Sequence, residues 1–299
     1  MSILETNEIK HIITTGPPHS VHLIGRGLKL RNPALSWIAD FRDPWTEWTI
    51  LKRMLITKPI WNIHKRQEHE VLKMADVTLA TSPTAVEEFK SLGARKVISI
   101  TNGYDVGDYS VSDRTAHTET FKMSYVGMLS KERSPEVLWR LLDELCAEAS
   151  FQERFRLNIT GIISPIAKDQ IENLPHLSPC TQFQDSVDHE EVFNLYANSD
   201  LLLLLQSREE GSFSQLPGKL FEYLGANRRI LALGYEGSDI DKILTETKAG
   251  QLFEYDDSVG IKTFILSIIE SRNETNSQNV GRFERKALTQ DLAKLLDTL

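Results

Sequence analysis

The stretch with most to offer chemically is Leu216-Pro217-Gly218-Lys219-Leu220-Phe221-Glu222-Tyr223-Leu224, which follows a run of five leucines and a polar loop. A glycine that opens a helix lets backbone N–H groups come close to an anion, and a helix N-terminus favours negative charge. Pro217, Gly218 and Lys219 are therefore candidates to meet a diphosphate. Glu222 lies three residues beyond Lys219 on the same helical face, where a carboxylate can accept both hydroxyls of a ribose. The same spacing equally suits an ordinary surface ion pair.

Three other segments carry reactive side chains. Tyr125-Val126-Gly127 ends an apolar run with a glycine that permits close approach, and Arg133 in the following Lys131-Glu132-Arg133-Ser134-Pro135 offers a planar fork for phosphate oxygens. Charges before a helix are also common on a merely solvated surface. In Gly16-Pro17-Pro18-His19-Ser20 a neutral imidazole could hydrogen-bond a hydroxyl; the plainer alternative is that Ser20 caps a helix and His19 packs. Asp40-Phe41-Arg42-Asp43-Pro44-Trp45 sets three charges within four residues, expensive to bury unless they pair or bind. There Asp43 suits a hydroxyl and Arg42 a carboxylate or phosphate, with an internal Asp–Arg bridge as the alternative.

Residues 48–66 contain no acidic side chain and mix Trp48, Ile50, Leu51, Met54, Leu55, Ile56 and Trp61 with Lys52, Arg53, Lys58, Lys65 and Arg66. That mixture suits an anionic membrane surface or the diphosphate of a lipid-linked molecule. It also suits a solvated helix whose tryptophans plug a core.

These residues need a frame, and the hydrophobic pattern supplies one. Apolar runs alternate with amphipathic stretches, the signature of βα units building parallel sheets. Strands are predicted at 11–15, 37–41, 77–80 and 97–101, then at 122–126, 156–160, 181–184, 201–205, 230–233 and 251–253. Helices are predicted at 20–30, 61–75 and 84–92 (Thr84 as N-cap), then at 135–149, 190–197, 218–224, 240–248 and 261–271. A last helix, about 282–299, carries Leu288, Leu292, Leu295 and Leu299 close to one stripe. Six strands follow the polar, linker-like stretch 105–120 and only four precede it. The organisation expected is 1–115, 116–280 and a helix 281–299 packing across the domains.

With 299 residues the chain exceeds one ordinary core. A net charge of -8 disfavours a general nucleic-acid binder. The two cysteines, Cys146 and Cys180, make no disulfide framework or metal spacing and fit a reducing cytoplasm. No apolar window approaches the about eighteen residues of a membrane span, and Met1 to Lys10 lacks the apolar core of a signal peptide.

In their order along the chain, Thr14-Thr15-Gly16-Pro17-Pro18-His19-Ser20, Asp40-Phe41-Arg42-Asp43-Pro44-Trp45, Asn102-Gly103-Tyr104-Asp105, Tyr125-Val126-Gly127 and Pro217-Gly218-Lys219-Leu220-Phe221-Glu222-Tyr223 resemble family-four retaining glycosyltransferases of the GT-B fold. The bacterial members of surface-polysaccharide assembly are the nearest in kind, and the resemblance spans most of the chain. It implies an α/β fold of two Rossmann-like domains. The N-terminal one is incomplete, since nothing before His11 matches the family's opening strand and glycine-rich loop; the C-terminal one is a full parallel sheet.

The resemblance further implies that a sugar moves from a nucleotide-diphosphate donor to a glycan or lipid-linked acceptor, with retention and without a metal, in a cleft between the domains. No Asp-x-Asp pair closes a predicted strand. No cofactor is implied beyond the nucleotide sugar itself, a substrate. Donor binding falls to Gly127, Arg133, Ser214, Pro217, Gly218, Lys219 and Glu222, and catalysis to His19 and Asp43. Arg42, Trp45, Lys52 and Arg53 face the acceptor or membrane side. Ser214 stands where the family has the first of two glutamates eight residues apart, with Glu209 and Glu210 nearby. The expected setting is cytoplasmic, peripheral on the inner membrane face. Two rival readings stay open: a non-catalytic nucleotide-binding or assembly subunit that works with a separate N-terminal partner chain, and a sugar-nucleotide epimerase on the same fold.

Overall fold

The computed structural model describes residues 2–47, 49–109, 120–209, 212–271 and 277–299, without the side chains of residues 2, 5, 49 and 50. Trp48, Glu210 and the expected domain boundary at 115/116 lie outside the described residues. The chain forms two compact units: Met1–Asn102 with Glu209–Leu216 and Arg285–Leu299, and Gly103–Arg208 with Pro217–Glu284.

The first unit runs Ser2–Thr6 (α1), His11–Gly16 (β1), His22–Arg31 (α2), Ser36–Phe41 (β2), Thr49–Arg53 (α3), Lys58–Met74 (α4), Val77–Ala80 (β3), Pro83–Ser91 (α5) and Val97–Ser99 (β4). All strands are parallel, in the order β1-β2-β3-β4. Successive strand residues point to opposite faces, and β2 and β3 are covered on both, whereas the edge strand β1 leaves one face exposed. Trp37, Ala39 and Phe41 pack with Val71, Leu72 and Phe89. Ile38, Val77 and Leu79 pack instead with Leu295 of the C-terminal helix Arg285–Leu296.

Two expectations need correction here. The cap of α5 is Ser82, not Thr84: the Ser82 hydroxyl accepts from the Ala85 N–H at 3.2 Å, and Pro83 occupies the first turn, where its missing N–H leaves no bond unmade. Helices α1 and α3 are additional. The C-terminal helix groups with the first unit and touches it through Leu292, Leu295 and Leu296, whereas Leu299 is 36% exposed.

The second unit runs Phe121–Val126 (β5), Glu136–Cys146 (α6), Ala149–Arg154 (α7), Phe155–Thr160 (β6), Pro165–Glu172 (α8), Thr181–Gln184 (β7), His189–Ala197 (α9), Leu201–Leu205 (β8), Gly218–Gly225 (α10), Arg229–Leu233 (β9), Asp239–Thr247 (α11), Gly250–Phe253 (β10) and Ser258–Glu270 (α12). The one helix expected over 135–149 is broken into α6 and α7, and α8 is additional. Six parallel strands take the order β10-β9-β8-β5-β6-β7. The leucines of β8 are buried along its whole length, as a central strand covered on both faces requires.

This order reverses direction between β5 and β8, which pair at Met123↔Leu201 and Ser124↔Leu202. Such a switch opens a crevice beyond the carboxyl ends of the two strands, because the flanking helices leave to opposite sides. The first unit, wound in one direction throughout its described strands, has no such point. Among the described residues no helix is long and apolar enough to cross a membrane.

Leu295→Ala removes the contact that holds the C-terminal helix to Ile38, Val77 and Leu79. We expect a loss of about 2–4 kcal/mol in urea unfolding, against less than about 0.5 kcal/mol for Leu299→Ala. Equal losses would show that this helix is not docked through Leu295.

Candidate functional site

The crevice of the second unit is built from the ends of its strands. Strand β5 runs into Gly127, whose φ is 128°, and β6 into Gly161, whose φ is 127°. Both values lie in a region costly for residues with a Cβ. A Cβ on Gly127 would stand 2.6 Å from the Lys219 Nζ, and one on Gly161 would stand 2.4 Å from the Gly127 carbonyl oxygen. Gly127 therefore makes the room that the lysine occupies, and Gly161 the room for the Gly127 main chain.

Helix α10 delivers Lys219 and Glu222 because its other residues are committed to the core. Leu220, Phe221, Tyr223 and Leu224 are buried, and the Tyr223 hydroxyl donates to the Leu203 carbonyl of β8 at 3.3 Å. The remaining face carries Lys219 and Glu222, both half-buried. They form no ion pair, which removes the plain surface-pair reading of their spacing. The Lys219 ammonium turns instead over the Tyr125 ring, 4.3 Å from its centroid. Burial, together with the neighbouring Arg133 charge, pulls its pKa down to about 8, against the opposing pull of Glu222.

Glu222 turns to α9, where the Tyr196 hydroxyl donates to its Oε2 at 2.9 Å. The Tyr109 hydroxyl donates to the Glu222 main-chain carbonyl at 2.6 Å. One carboxylate oxygen is thus held while the residue stays half-exposed. Gly218 is exposed and a Cβ there would meet nothing within 4 Å, so the start of α10 after Pro217 is open to a ligand. Arg133 is exposed at the end of a short turn, Lys131–Arg133.

Sequence reasoning missed three members of this group. Arg208, just past β8, stacks on the Tyr255 ring at 3.8 Å and reaches the Ser134 carbonyl at 3.4 Å. Its neighbourhood is shared with Arg133, since both cations hold the Tyr255 hydroxyl pKa lower than burial alone would set it. Tyr196 and Gly161 are the others. Gly161 had a signal, a glycine closing a strand as Gly127 does; Arg208 and Tyr196 had none, being one more arginine in a charged loop and one more tyrosine in a helix. Ser214 sits in the turn Ser212–Ser214, in the segment that groups with the first unit.

In the first unit, His19 is 5% exposed and its Nε2 bonds the Asp43 carbonyl at 2.8 Å. A carbonyl only accepts, so Nε2 carries the proton. The ring stacks on Trp45 at 5.6 Å and 18°, and burial pulls its pKa below the ordinary value. Behind it His22 is fully buried, bonded through Nδ1 to the Thr14 hydroxyl at 2.8 Å, with its pKa pushed down to about 4 by burial and by His19. Both rings are neutral at pH 7. Ser20 makes no capping bond, so that part of the plainer alternative is absent.

Arg42 is exposed and Asp43 half-buried, and neither joins an ion pair among the described residues. The internal Asp–Arg bridge does not form. Trp45 departs from expectation: at 3% exposure it packs in the core and backs His19 rather than meeting solvent. Lys52 pairs with Glu47 at 2.5 Å and Arg53 pairs with Glu209. Of the mixed segment, Leu51, Ile56 and Trp61 pack into the core, whereas Met54, Leu55, Ile60 and Ile63 are exposed. Among the described residues no group of three or more His, Cys, Asp or Glu is placed to hold a metal ion.

No protein-family model matches the chain. No curated protein matches it either. Solved structures do. HepE of Anabaena in complex with UDP aligns with 100% of this chain and 81% of its own at a TM-score of 0.73 and 17% identity. Sucrose-phosphate synthase from Thermosynechococcus elongatus aligns with 99% and 75% at a TM-score of 0.68 and 16% identity. WaaG, a glycosyltransferase involved in lipopolysaccharide biosynthesis, aligns with 93% and 84% at a TM-score of 0.57 and 12% identity. At such identities the likeness is one of fold: the chain has the two Rossmann-like units of the GT-B glycosyltransferases, with parallel sheets of four and six strands.

Proposed function

We propose that the chain is a glycosyltransferase whose second unit binds a nucleotide-diphosphate sugar and passes the sugar to a glycan or lipid-linked acceptor in cell-surface polysaccharide synthesis. The observation that carries this reading is the group Lys219, Arg133 and Glu222 at the carboxyl end of a doubly wound sheet. The Arg133 charge bears on the buried Lys219 ammonium, and a half-held carboxylate stands one helical turn from the lysine.

In this reading the diphosphate lies against Gly127, the start of α10 at Pro217 and Gly218, and the Lys219 and Arg133 side chains, with Arg208 beside them. Glu222 accepts the ribose hydroxyls. As the sugar departs, negative charge grows on the diphosphate, and fixed cations and helix amides stabilise it without reorganising. Transfer is then metal-independent, with retention at the anomeric carbon. His19 and Asp43 of the first unit serve the sugar or the acceptor, the neutral imidazole as a hydrogen-bonding group and the carboxylate by orienting a hydroxyl. Ser214 is a lesser donor contact, and Arg42, Lys52 and Arg53 lie toward the acceptor.

HepE holds UDP and UDP-glucose, which makes uridine diphosphate the first probe for calorimetric titration. Lys219→Ala, Glu222→Ala and Gly127→Ala should each weaken binding roughly 10- to 100-fold, the worth of a charge-assisted hydrogen bond. Lys219 must be charged to bind, and its pKa near 8 rises once an anion arrives, so binding takes up a proton. Affinity for the diphosphate should therefore fall as pH climbs above about 8. Unaltered affinity in both Lys219→Ala and Glu222→Ala, across a panel of nucleoside diphosphates, would rule this site out.

A second reading has its own observation. Glu209, the described glutamate nearest in sequence to the place of Ser214, is tied to Arg53. A nucleotide-binding subunit without turnover is the consequence if no carboxylate serves the sugar. Donor sugars supplied with and without a glycan or lipid-linked acceptor separate the two: released nucleoside diphosphate favours the enzyme, binding with no release the subunit.

The face with exposed Met54, Leu55, Ile60 and Ile63 beside Lys58 and Lys65 supports peripheral attachment to an anionic membrane. Vesicles of phosphatidylglycerol should then sediment the protein more than phosphatidylcholine vesicles do. Leu55→Ser with Lys58→Glu should abolish the difference; if it persists, this face is not the attachment.

A further inference from the structure

The turn that carries Asp43 and Trp45 has no regular hydrogen bonding of its own, yet three of its donors end on one side chain. Glu68, 3% exposed in the middle of α4, accepts from the Trp45 N–H at 3.2 Å and the Thr46 N–H at 3.3 Å, and from the Thr46 hydroxyl at 2.5 Å. It forms no ion pair among the described residues. Burying a carboxylate without a cation is expensive, and Val71 and Leu72 on the same helix show that an apolar residue would serve the packing. What an apolar residue cannot do is accept three hydrogen bonds.

One turn earlier on α4, His64 takes a second hold on the same turn. The Trp45 indole N–H donates to its Nδ1 at 3.2 Å, so that nitrogen is unprotonated. Trp45 is thus fixed at its main chain by Glu68 and at its ring edge by His64. Its face carries the His19 ring, whose Nε2 bonds the Asp43 carbonyl of that same turn. The Trp45 stack and the Asp43 carbonyl bond of His19 both belong to a turn whose path Glu68 sets, while Phe41 and His22 flank the ring from outside it.

We propose that Glu68 is a positioning residue: by gathering the Trp45 and Thr46 donors it fixes the 42–47 turn, and through Trp45 and the Asp43 carbonyl it fixes the orientation and tautomer of His19. The catalytic meaning of this rests on the acceptor-side reading of His19 and Asp43; the structural chain from Glu68 to His19 does not. The linkage concerns geometry: Glu68 holds the main chain of Trp45 and Thr46, and the Trp45 ring and the Asp43 carbonyl in turn hold His19.

The test uses the whole chain and two mild substitutions. Glu68→Gln keeps volume but offers one acceptor oxygen in place of two, and Thr46→Val deletes only the hydroxyl donor. Circular dichroism and melting temperature check that both fold. The His19 imidazole is followed by nitrogen-15 NMR, assigned by its loss in His19→Gln. In both variants we expect a weaker Nε2–H form, because the Asp43 carbonyl bond that fixes it is loosened, with Glu68→Ala larger than Glu68→Gln if it folds. Turnover should fall roughly tenfold in Glu68→Gln with the donor KM unchanged, the pattern of a misplaced group rather than lost binding. Folded Glu68→Gln and Thr46→Val proteins with wild-type His19 spectra overturn the proposal. If the wild-type chain transfers no sugar, only the acceptor-side reading fails, because the NMR comparison needs no substrate.

Discussion

A lysine ammonium withdrawn from water, set over an aromatic ring and pressed by a second cation, is the arrangement around which the second unit is organised. Lys219 sits over Tyr125 with Arg133 near enough to disfavour its charge. Left alone, such a lysine would reach solvent or the nearby carboxylate. It does neither, because α10 is pinned to the sheet through Leu220, Phe221 and the Tyr223 bond to Leu203, while Glu222 is drawn toward Tyr196. The fold keeps positive charge poorly compensated where the strand order of the second unit opens a crevice, and the proposed anion binding rests on that imbalance.

The glycines belong to the same constraint. Gly127 and Gly161 end adjacent strands with backbone conformations that a Cβ disfavours; the space at Gly127 is filled by Lys219 and that at Gly161 by the Gly127 main chain. Helix, strand ends and cations are therefore one construction: changing any of them moves the ammonium.

The first unit contrasts with this in its electrostatics. Its carboxyl-end residues are neutral imidazoles among aromatic rings, with Phe41 4.3 Å from His22 and Trp45 stacked on His19. Burial keeps both histidines uncharged, and their rings bond the Asp43 carbonyl and the Thr14 hydroxyl. Charged Arg42 and half-buried Asp43 stand on the turn next to them, neither engaged in an ion pair among the described residues.

Much of the fold was legible in the residues themselves. The ten strands among the described residues lie where the sequence places them, most on apolar runs bounded by polar or glycine-containing stretches, and the unbroken leucines of β8 announce a strand buried on both faces. The spacing of Lys219 and Glu222 told which face they share, because helical periodicity is local. It could not tell that they avoid one another, since that depends on Tyr125 and Tyr196, brought near by strands and helices far away in sequence. Arg208, Glu68 and the burial of Trp45 were hidden for the same reason: a charged residue in a loop or helix looks alike whether it faces water or holds a turn. Periodicity and turn chemistry act within a few residues and so can be read from the chain. Burial, hydrogen-bond partners and the acidity of a lysine are set by neighbours across the sheet, and only the assembled tertiary structure decides them.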